Sequence, residues 1–251
     1  MQMTKKGFIV GTAALARLVA LLSLTAMTLL FVMPAAWVCV WFGWLPRAQL
    51  LPAVMSGEVV VLALIAVSVA LFGRLYCLVV CPLGIAQDVA RVPLKFLRLK
   101  GLPIVGWVRY VVLAAFSVGA VMGFTGLIAP YGIFARFLTV GVMREGDPPV
   151  ALVVWAIALF AFVLSMTAFR ARWWCNQMCP VGTFLGLFSR FAMFRPRIDG
   201  GKCVRCGLCA KACDKGAIRV REDRSVAIDH SKCVVCLSCM GSCRKEALKW
   251  R

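Results

Sequence analysis

Long apolar runs dominate the first three quarters of the chain, and polar residues gather in the short stretches between them. Four runs stand out, at about residues 18–44, 59–76, 108–129 and 150–169. Each is close to the ~20 residues an α-helix needs to cross a hydrocarbon core, so the pattern predicts four membrane helices. The first is expected to kink or end near Pro34. It is too long for the apolar part of a signal peptide, and Ala35-Ala36-Trp37 leads into more apolar residues. Residues 82–100 change rhythm, with Gln87, Asp88, Arg91, Lys95 and Arg98 at helical steps among Leu, Val and Phe. That is the pattern of a basic amphipathic helix lying in a membrane interface. It anchors to anionic lipid or walls a quinone headgroup pocket. Residues 183–193 form a weaker second copy. After the fourth run the apolar pattern gives way to a cysteine-rich stretch. The expected organisation is a four-helix membrane domain at 1–198 and a small α+β domain at 199–251.

Composition strengthens the membrane reading. The chain is 62% hydrophobic, with mean hydropathy +0.89, far above an ordinary soluble domain. Its 29 Lys and Arg against 10 Asp and Glu give a net charge of +19. That charge adjoins apolar segments, which points to anionic lipid and not to nucleic acid. The segment between the second and third runs carries Arg74, Arg91, Lys95, Arg98, Lys100 and Arg109 against Asp88. The segment after the fourth carries Arg170, Arg172, Arg190, Arg195 and Arg197. The other two loops have no such excess: Arg47 and Glu58 in one, and Arg136, Arg144, Glu145 and Asp147 in the other. The positive-inside rule then predicts a multi-pass protein of the bacterial inner membrane, with both termini and the C-terminal domain in the cytoplasm. Glu58 reads as an interfacial residue, not a proton carrier.

The chemistry lies in the 13 cysteines. Cys203, Cys206, Cys209 and Cys213 are spaced C-x2-C-x2-C-x3-C, and Cys233, Cys236, Cys239 and Cys243 repeat that spacing 30 residues later. This is the run of a two-cluster bacterial ferredoxin, in which the fourth Cys of each run ligates the other cluster. Cys203, Cys206, Cys209 and Cys243 are therefore assigned to one [4Fe-4S] cluster, and Cys233, Cys236, Cys239 and Cys213 to a second. Structural zinc favours two C-x2-4-C pairs with a longer spacer, and disulfides need an oxidising compartment. Asp214 and Arg244 stand where the usual run has proline. The one histidine, His230, lies inside this stretch, so a bis-His haem is excluded.

A second repeat is less conventional. Arg74-Leu-Tyr-Cys77-Leu-Val-Val-Cys81-Pro82-Leu-Gly84 and Arg172-Trp-Trp-Cys175-Asn-Gln-Met-Cys179-Pro180-Val-Gly182 align at an offset of 98. Both copies fall at the same end of an apolar run, so they are expected at one membrane face, opposed across a pseudo-two-fold axis. Cysteines at i and i+4 share a helix face. A Cys-Pro step favours a helix start, where the dipole and Arg74 or Arg172 stabilise thiolate. Cys77, Cys81, Cys175 and Cys179 hold a third iron–sulfur cluster, form a redox-active dithiol site, or merely pack as small apolar side chains. Cys39, alone in the first run, reads as core.

The paired C-x3-C-P motifs, four apolar runs and a C-terminal two-cluster ferredoxin together resemble the NapH/MauN-type membrane ferredoxins. The membrane half of NosR and related polyferredoxins are similar. No flavin-attachment domain precedes the runs here, a departure from the NosR pattern. The resemblance implies an iron–sulfur electron-transfer subunit of a quinol-linked oxidoreductase, with quinone or quinol as exchangeable substrate. It also implies a hetero-oligomer with a periplasmic or membrane redox partner, an iron–sulfur protein or a cytochrome c. The alternatives are an accessory protein for metalloenzyme maturation and a thiol-based redox sensor. No catalytic acid or base stands out.

Overall fold

A computed structural model describes residues 2–32, 40–97, 105–121, 130–142, 149–222 and 224–250. Cys39, Arg98, Lys100, residues 122–129 and the charged loop at 143–148 lie outside the described residues.

The first helix, α1 (Gln2–Val32), starts well ahead of the expected residue 18, and Pro34, where a kink or end is expected, lies outside the described residues. Trp44, expected in the same run, belongs to a separate short helix, α2 (Trp44–Arg47). Among the described helices only the stretch Gly11–Val32 is long and apolar enough to cross a membrane, with 22 residues at mean hydropathy 2.1. Next, α3 (Leu50–Ser56) turns at Gly57 (φ 70°) into α4 (Val59–Phe72). The Leu50 amide donates to the Tyr76 hydroxyl at 3.0 Å, so α3 folds back towards the far end of α4.

At Gly73 (φ 73°) α4 stops, and the first cysteine motif begins with α5 (Tyr76–Val79) and α6 (Pro82–Leu94). Then come α7 (Val108–Val121), α8 (Pro130–Arg136) and α9 (Val150–Met166). The second motif repeats the break: Arg172 (φ 60°) precedes α10 (Trp173–Gln177), and α11 (Pro180–Phe188) follows. The expected runs at 59–76 and 150–169 are thus shortened to α4 and α9. At a rise of 1.5 Å per residue these 14- and 17-residue helices are about 21 and 26 Å long, under the ~30 Å of a typical hydrocarbon core. The physical reason is local. Gly73, at positive φ, ends α4, whereas α9 gives way after Met166 to turns that lead into left-handed Arg172 at the start of the motif.

The C-terminal unit is two small antiparallel ladders and two short helices. β1 (Pro196–Ile198) pairs with β4 (Leu248–Trp250), and β2 (Ile218–Val220) pairs with β3 (Val226–Ile228). Helices α12 (Leu208–Ala212) and α13 (Ser238–Ser242) follow the two cysteine loops. Since β1 closes on β4, this unit's sheet begins ahead of residue 199.

The main core gathers Ile65, Val69, Leu83, Val163, Val181 and Leu185 around four cysteines, and Val234 enters it from the C-terminal unit. Each fully buried Leu or Val there contributes about 1.5–3 kcal/mol relative to exposure. A smaller cluster of Met27, Leu45, Phe134 and Leu138 ties α1 to α8 and its π-helical extension.

Candidate metal centres

The two C-x3-C-P motifs meet. Cys77 lies on α5 and Cys175 on α10, while Cys81 and Cys179 sit immediately before Pro82 and Pro180 at the starts of α6 and α11. The reason is the Cys-Pro step: the residue before proline prefers extended torsion, and proline suits the first helical turn. Cys179 shows it, with φ −76° and ψ 116° at the N-cap and its Sγ accepting from the Gly182 amide at 3.3 Å. All four thiols are 3–5% exposed and share one core cluster.

Burial raises the proton affinity of Cys81, Cys175 and Cys179. It pushes the Cys175 thiol up to about 11, although Arg172 and Arg74 pull the other way. Cys81 and Cys179 are also raised by burial, then by the neighbouring thiols. The expectation that helix starts and arginines would favour thiolate is corrected here, because desolvation outweighs both. Four bare thiolates cannot be held together in such a site. A polynuclear iron group fits the donor set, because its positive iron offsets the thiolate charge.

The arginines of the motif cross between copies. Arg74, 1% exposed, donates through Nη2 to the Cys175 carbonyl at 3.2 Å. Arg172, also 1% exposed, donates through Nη1 to the Cys77 carbonyl at 2.6 Å. The motif glycines make room for this exchange. A Cβ on Gly84 would lie 2.7 Å from the Cys77 carbonyl oxygen, and one on Gly182 would lie 2.4 Å from that of Cys175 and 2.6 Å from Arg74 Nη2. Each motif position therefore has a physical role. The cysteines are donors, proline starts the helix, glycine allows close approach, and arginine locks onto the opposite copy.

Beyond this the copies differ. Arg172 is paired with Asp88 of α6 at 2.6 Å, and Asp88 also pairs with Lys215 of the C-terminal unit. Burial draws the Asp88 carboxyl up, but Arg172 and Lys215 outweigh it and hold the carboxyl below its usual range. Arg74 instead bonds the Asn176 side-chain oxygen at 2.8 Å and the Ser231 carbonyl at 2.9 Å. Gln87, fully buried, directs Nε2 at Cys175 Sγ at 3.5 Å.

In the C-terminal unit one cavity is lined by Cys203, Cys206, Cys209 and Cys243. Another is lined by Cys213, Cys233, Cys236 and Cys239. Each thus takes three cysteines from one run and the fourth from the other. Among the described residues no three His, Cys, Asp or Glu side chains are placed to hold a single metal ion. Tetrahedral zinc, at about 2.3 Å per bond, would draw its sulfurs to within about 4 Å of one another. The loops are strained in matching places: Arg205 (φ 54°) and Gly207 (φ 71°) flank Cys206, and Val235 (φ 59°) and Leu237 (φ 58°) flank Cys236. Positive φ at a β-branched valine costs about 1–2 kcal/mol. In return the Val235 amide hydrogen-bonds the Cys233 thiol and offsets part of the rise that burial causes, which still leaves the thiol at about 12. The Ala247 amide likewise meets Cys243 Sγ at 3.3 Å. Amide-to-sulfur hydrogen bonds of this kind support thiolate ligands and tune cluster potential.

The second cavity adjoins the four buried cysteines. Cys236 and Val234 pack on their core. Ser231 receives both Arg74 at its carbonyl and Arg109 Nη1 at its hydroxyl, at 2.9 Å each. Ser189 Oγ donates to the His230 carbonyl at 2.8 Å.

Comparison with known proteins agrees with this architecture. The family described as "4Fe-4S binding domain" matches residues 54–103 and again 152–199, once on each C-x3-C-P copy. The "4Fe-4S dicluster domain" matches residues 202–247. The methylamine utilization ferredoxin-type protein MauN of Paracoccus denitrificans is 32% identical over 152 residues, 56% of this chain and 48% of MauN. The ferredoxin-type protein NapH of Escherichia coli is 30% identical over 164 residues, 63% of this chain and 53% of NapH. The chain belongs to the NapH/MauN-type ferredoxin family. An uncharacterized protein of Methanocaldococcus jannaschii is also similar, 29% identical over 152 residues, or 56% of this chain and 51% of that protein. This ferredoxin-type chain spans about half the length of the curated relatives it matches. No solved structure matches it.

Several residues of this NapH/MauN-type centre carry no motif signal. Asp88 reads in sequence as one polar position of an amphipathic helix. The 98-residue offset sets it opposite Gly186, whose missing Cβ leaves room for the Ser231 carbonyl, 2.7 Å from where that atom would be. Two equivalent positions on α6 and α11 thus each receive the C-terminal unit, one by charge and one by close approach. Only comparison of the two copies exposes them.

Proposed function

We propose that the protein is the iron–sulfur electron-transfer subunit of a membrane oxidoreductase, passing electrons between the quinol pool and a partner redox protein that serves a periplasmic reductase or dehydrogenase. The observation that carries this reading is the four-cysteine core site, built from both repeats and packed directly against Cys236. When bound, three [4Fe-4S] clusters would supply one-electron steps at Cys77/Cys81/Cys175/Cys179, at Cys213/Cys233/Cys236/Cys239 and at Cys203/Cys206/Cys209/Cys243. The chain's own part is to hold these donors, exclude water and set the local charge through Arg74 and Arg172.

Apolar exposure supports a multi-pass membrane placement, and the excess of Lys and Arg in the segments beside the two cysteine motifs supports a ferredoxin unit at the cytoplasmic face. Val92, Phe96, Phe188 and Phe191, on and just beyond the helices that begin at Cys81-Pro82 and Cys179-Pro180, are exposed, as expected of interfacial helices. A cavity of about 460 Å³ lies between α1, α6 and the C-terminal unit, lined by Arg17, Leu21, Asp88, Arg91 and Cys236 among others. Its mixed walls and its cluster-side edge suit a quinone headgroup. The depth of the four core thiols and the raised proton affinity of Cys81, Cys175 and Cys179 run against a thiol-based sensor, which needs exposed thiolate.

Iron analysis and paramagnetic resonance on anaerobically purified protein test this. About twelve iron atoms per chain are expected, falling to about eight in Cys77→Ala/Cys175→Ala. Eight in both would overturn the third centre. In anaerobic membranes with the partner proteins, a reduced quinol analogue should reduce the clusters, and failure to do so would remove the quinol link.

A further inference from the structure

The ferredoxin repeat puts the same loop in two environments. At an offset of 30, Lys202-Cys203-Val204-Arg205-Cys206 corresponds to Lys232-Cys233-Val234-Val235-Cys236. Val234 is 2% exposed, and its counterpart Val204 is 60% exposed. Lys232 is buried and paired with Asp229 at 3.0 Å, whereas Lys202 is exposed. The second loop is covered by the N-terminal helices, through Arg74, Arg109 and the cleft at Gly186. In the first loop Cys206 itself is exposed.

The uncovered loop is ringed with positive charge. Lys202 and Arg205 lie on it, and Arg244 and Lys245 line the cavity of Cys203, Cys206, Cys209 and Cys243 and are exposed. The neighbouring acid Asp199 is engaged by Lys249 at 2.7 Å. The covered loop faces cations supplied by the rest of the chain, whereas the open loop presents its own cations outward, around an exposed apolar valine and an exposed cysteine. A charged rim around a small apolar centre is how a transient docking surface steers and seats a partner.

We infer that the loop around Val204 and Cys206 is a docking surface for a soluble, acidic one-electron carrier protein of ferredoxin or flavodoxin type. This rests on the reading that a cluster occupies the Cys203/Cys206/Cys209/Cys243 site. One electron passes between carrier and cluster, so that one is oxidised by one electron as the other is reduced by one, with no bond made or broken. The carrier takes on the first loop the place that the N-terminal helices take on the second.

The test uses the full-length, cluster-loaded protein in phosphatidylcholine nanodiscs, with an acidic two-cluster ferredoxin as probe and a basic cytochrome c as comparison. Binding is measured by biolayer interferometry without quinol or turnover. The acidic probe should bind more tightly than the cytochrome, and more weakly as salt rises from 10 to 150 mM and the Debye length falls from about 30 to 8 Å. Arg205→Glu/Lys245→Glu should weaken Kd at least about tenfold at low salt with iron content kept, while Arg190→Glu, on the helical part, should not. If that pair loses iron, Lys202→Glu/Arg244→Glu repeats the test on the same rim. Equal binding of the cytochrome, no binding of the acidic probe, or an equal effect of Arg190→Glu overturns the proposal. Displacement of the probe by phosphatidylglycerol vesicles would overturn it too, marking a lipid-binding face. Failure here leaves quinol reduction of the clusters unaffected, and loss of the quinol link leaves this binding unaffected, so the two readings fail separately.

Discussion

With clusters at the core and Cys233 sites, as proposed, replacing Arg74 with glutamine should lower the reduction potential of both at once. The guanidinium is fully buried and reaches the Cys175 carbonyl on one side and the Ser231 carbonyl, two residues before Cys233, on the other. Its charge also acts on both Cys175 and Cys233. At an effective dielectric of about 20 and a separation of roughly 7 Å, one unit charge is worth about 2.4 kcal/mol on an added electron. That corresponds to about 100 mV for a one-electron couple. The sign follows from electrostatics: a nearby cation favours the more negative, reduced state, so its loss moves the potential down. Three hydrogen bonds from a charged donor are lost or weakened as well, and breaking such a buried set costs about 3–5 kcal/mol of stability. Arg74→Lys separates the two effects, because it keeps the charge and loses the fork of hydrogen bonds. The assay is a redox titration followed by paramagnetic resonance on protein of verified iron content. Arg74→Gln should shift the core centre and the Cys233-side centre down, Arg74→Lys much less, and the Cys203-side centre should stay put. Potentials within about 20 mV of the parent at full iron loading would refute the idea that Arg74 sets the charge between the two sites.

Other consequences are simpler to read. Gly182→Ala should cost more iron and more stability than Gly84→Ala, because its Cβ meets both the Cys175 carbonyl at 2.4 Å and Arg74 at 2.6 Å, whereas Gly84 has only the Cys77 carbonyl under 3 Å; iron content and thermal midpoint check the order. Gly186→Ala, whose Cβ would lie 2.7 Å from the Ser231 carbonyl, should loosen the C-terminal unit while keeping most iron, seen as faster proteolysis between residues 192 and 200. Asp88→Asn leaves Arg172 buried without its anion and should destabilise by about 3 kcal/mol near neutral pH. Since the folded carboxyl of Asp88 lies below its usual range, its contribution is present above about pH 4 and lost as pH falls through the folded value. The variant should therefore lose less stability on acidification than the parent in unfolding titrations.

Much of the site can be read from spacing alone. The two ferredoxin runs and the two C-x3-C-P motifs are covalent patterns, and the Cys-Pro torsional preference is a property of the dipeptide, so Cys81 and Cys179 at helix starts follow from local chemistry. Helix lengths do not follow so directly. Hydropathy carries the second and fourth runs through to 76 and 169, but α4 stops at Gly73 (φ 73°) and α9 stops at Met166, ahead of the turns that lead to left-handed Arg172 (φ 60°). Those torsions are imposed by tertiary packing of the motif, not by apolar composition. The protonation of the thiols could not be judged either, because helix position and a nearby arginine are visible in sequence while full desolvation is not. The crossing of Arg74 and Arg172, and the contacts made at Asp88 and Gly186, depend on which copy faces which, a relation that exists only after folding.

Two successive repeats, each broken at a few positions, set the order of the three cysteine sites. Alone, a two-fold pair of C-x3-C-P motifs or of ferredoxin loops would present equivalent faces, with no reason for electrons to prefer one route. Asymmetry enters at single positions. Asp88 opposite Gly186 lets the C-terminal unit seat one way only on the paired helices, by an ion pair to Lys215 on one side and a backbone approach at Ser231 on the other. Val234 opposite Val204 then leaves one loop against the buried cysteines and the other open. The result is an ordered row: core cysteines, the covered cavity of Cys233, the open cavity of Cys203. The order arises because a few side chains break each repeat at its interface, while the donors and turns that each repeat shares stay equivalent.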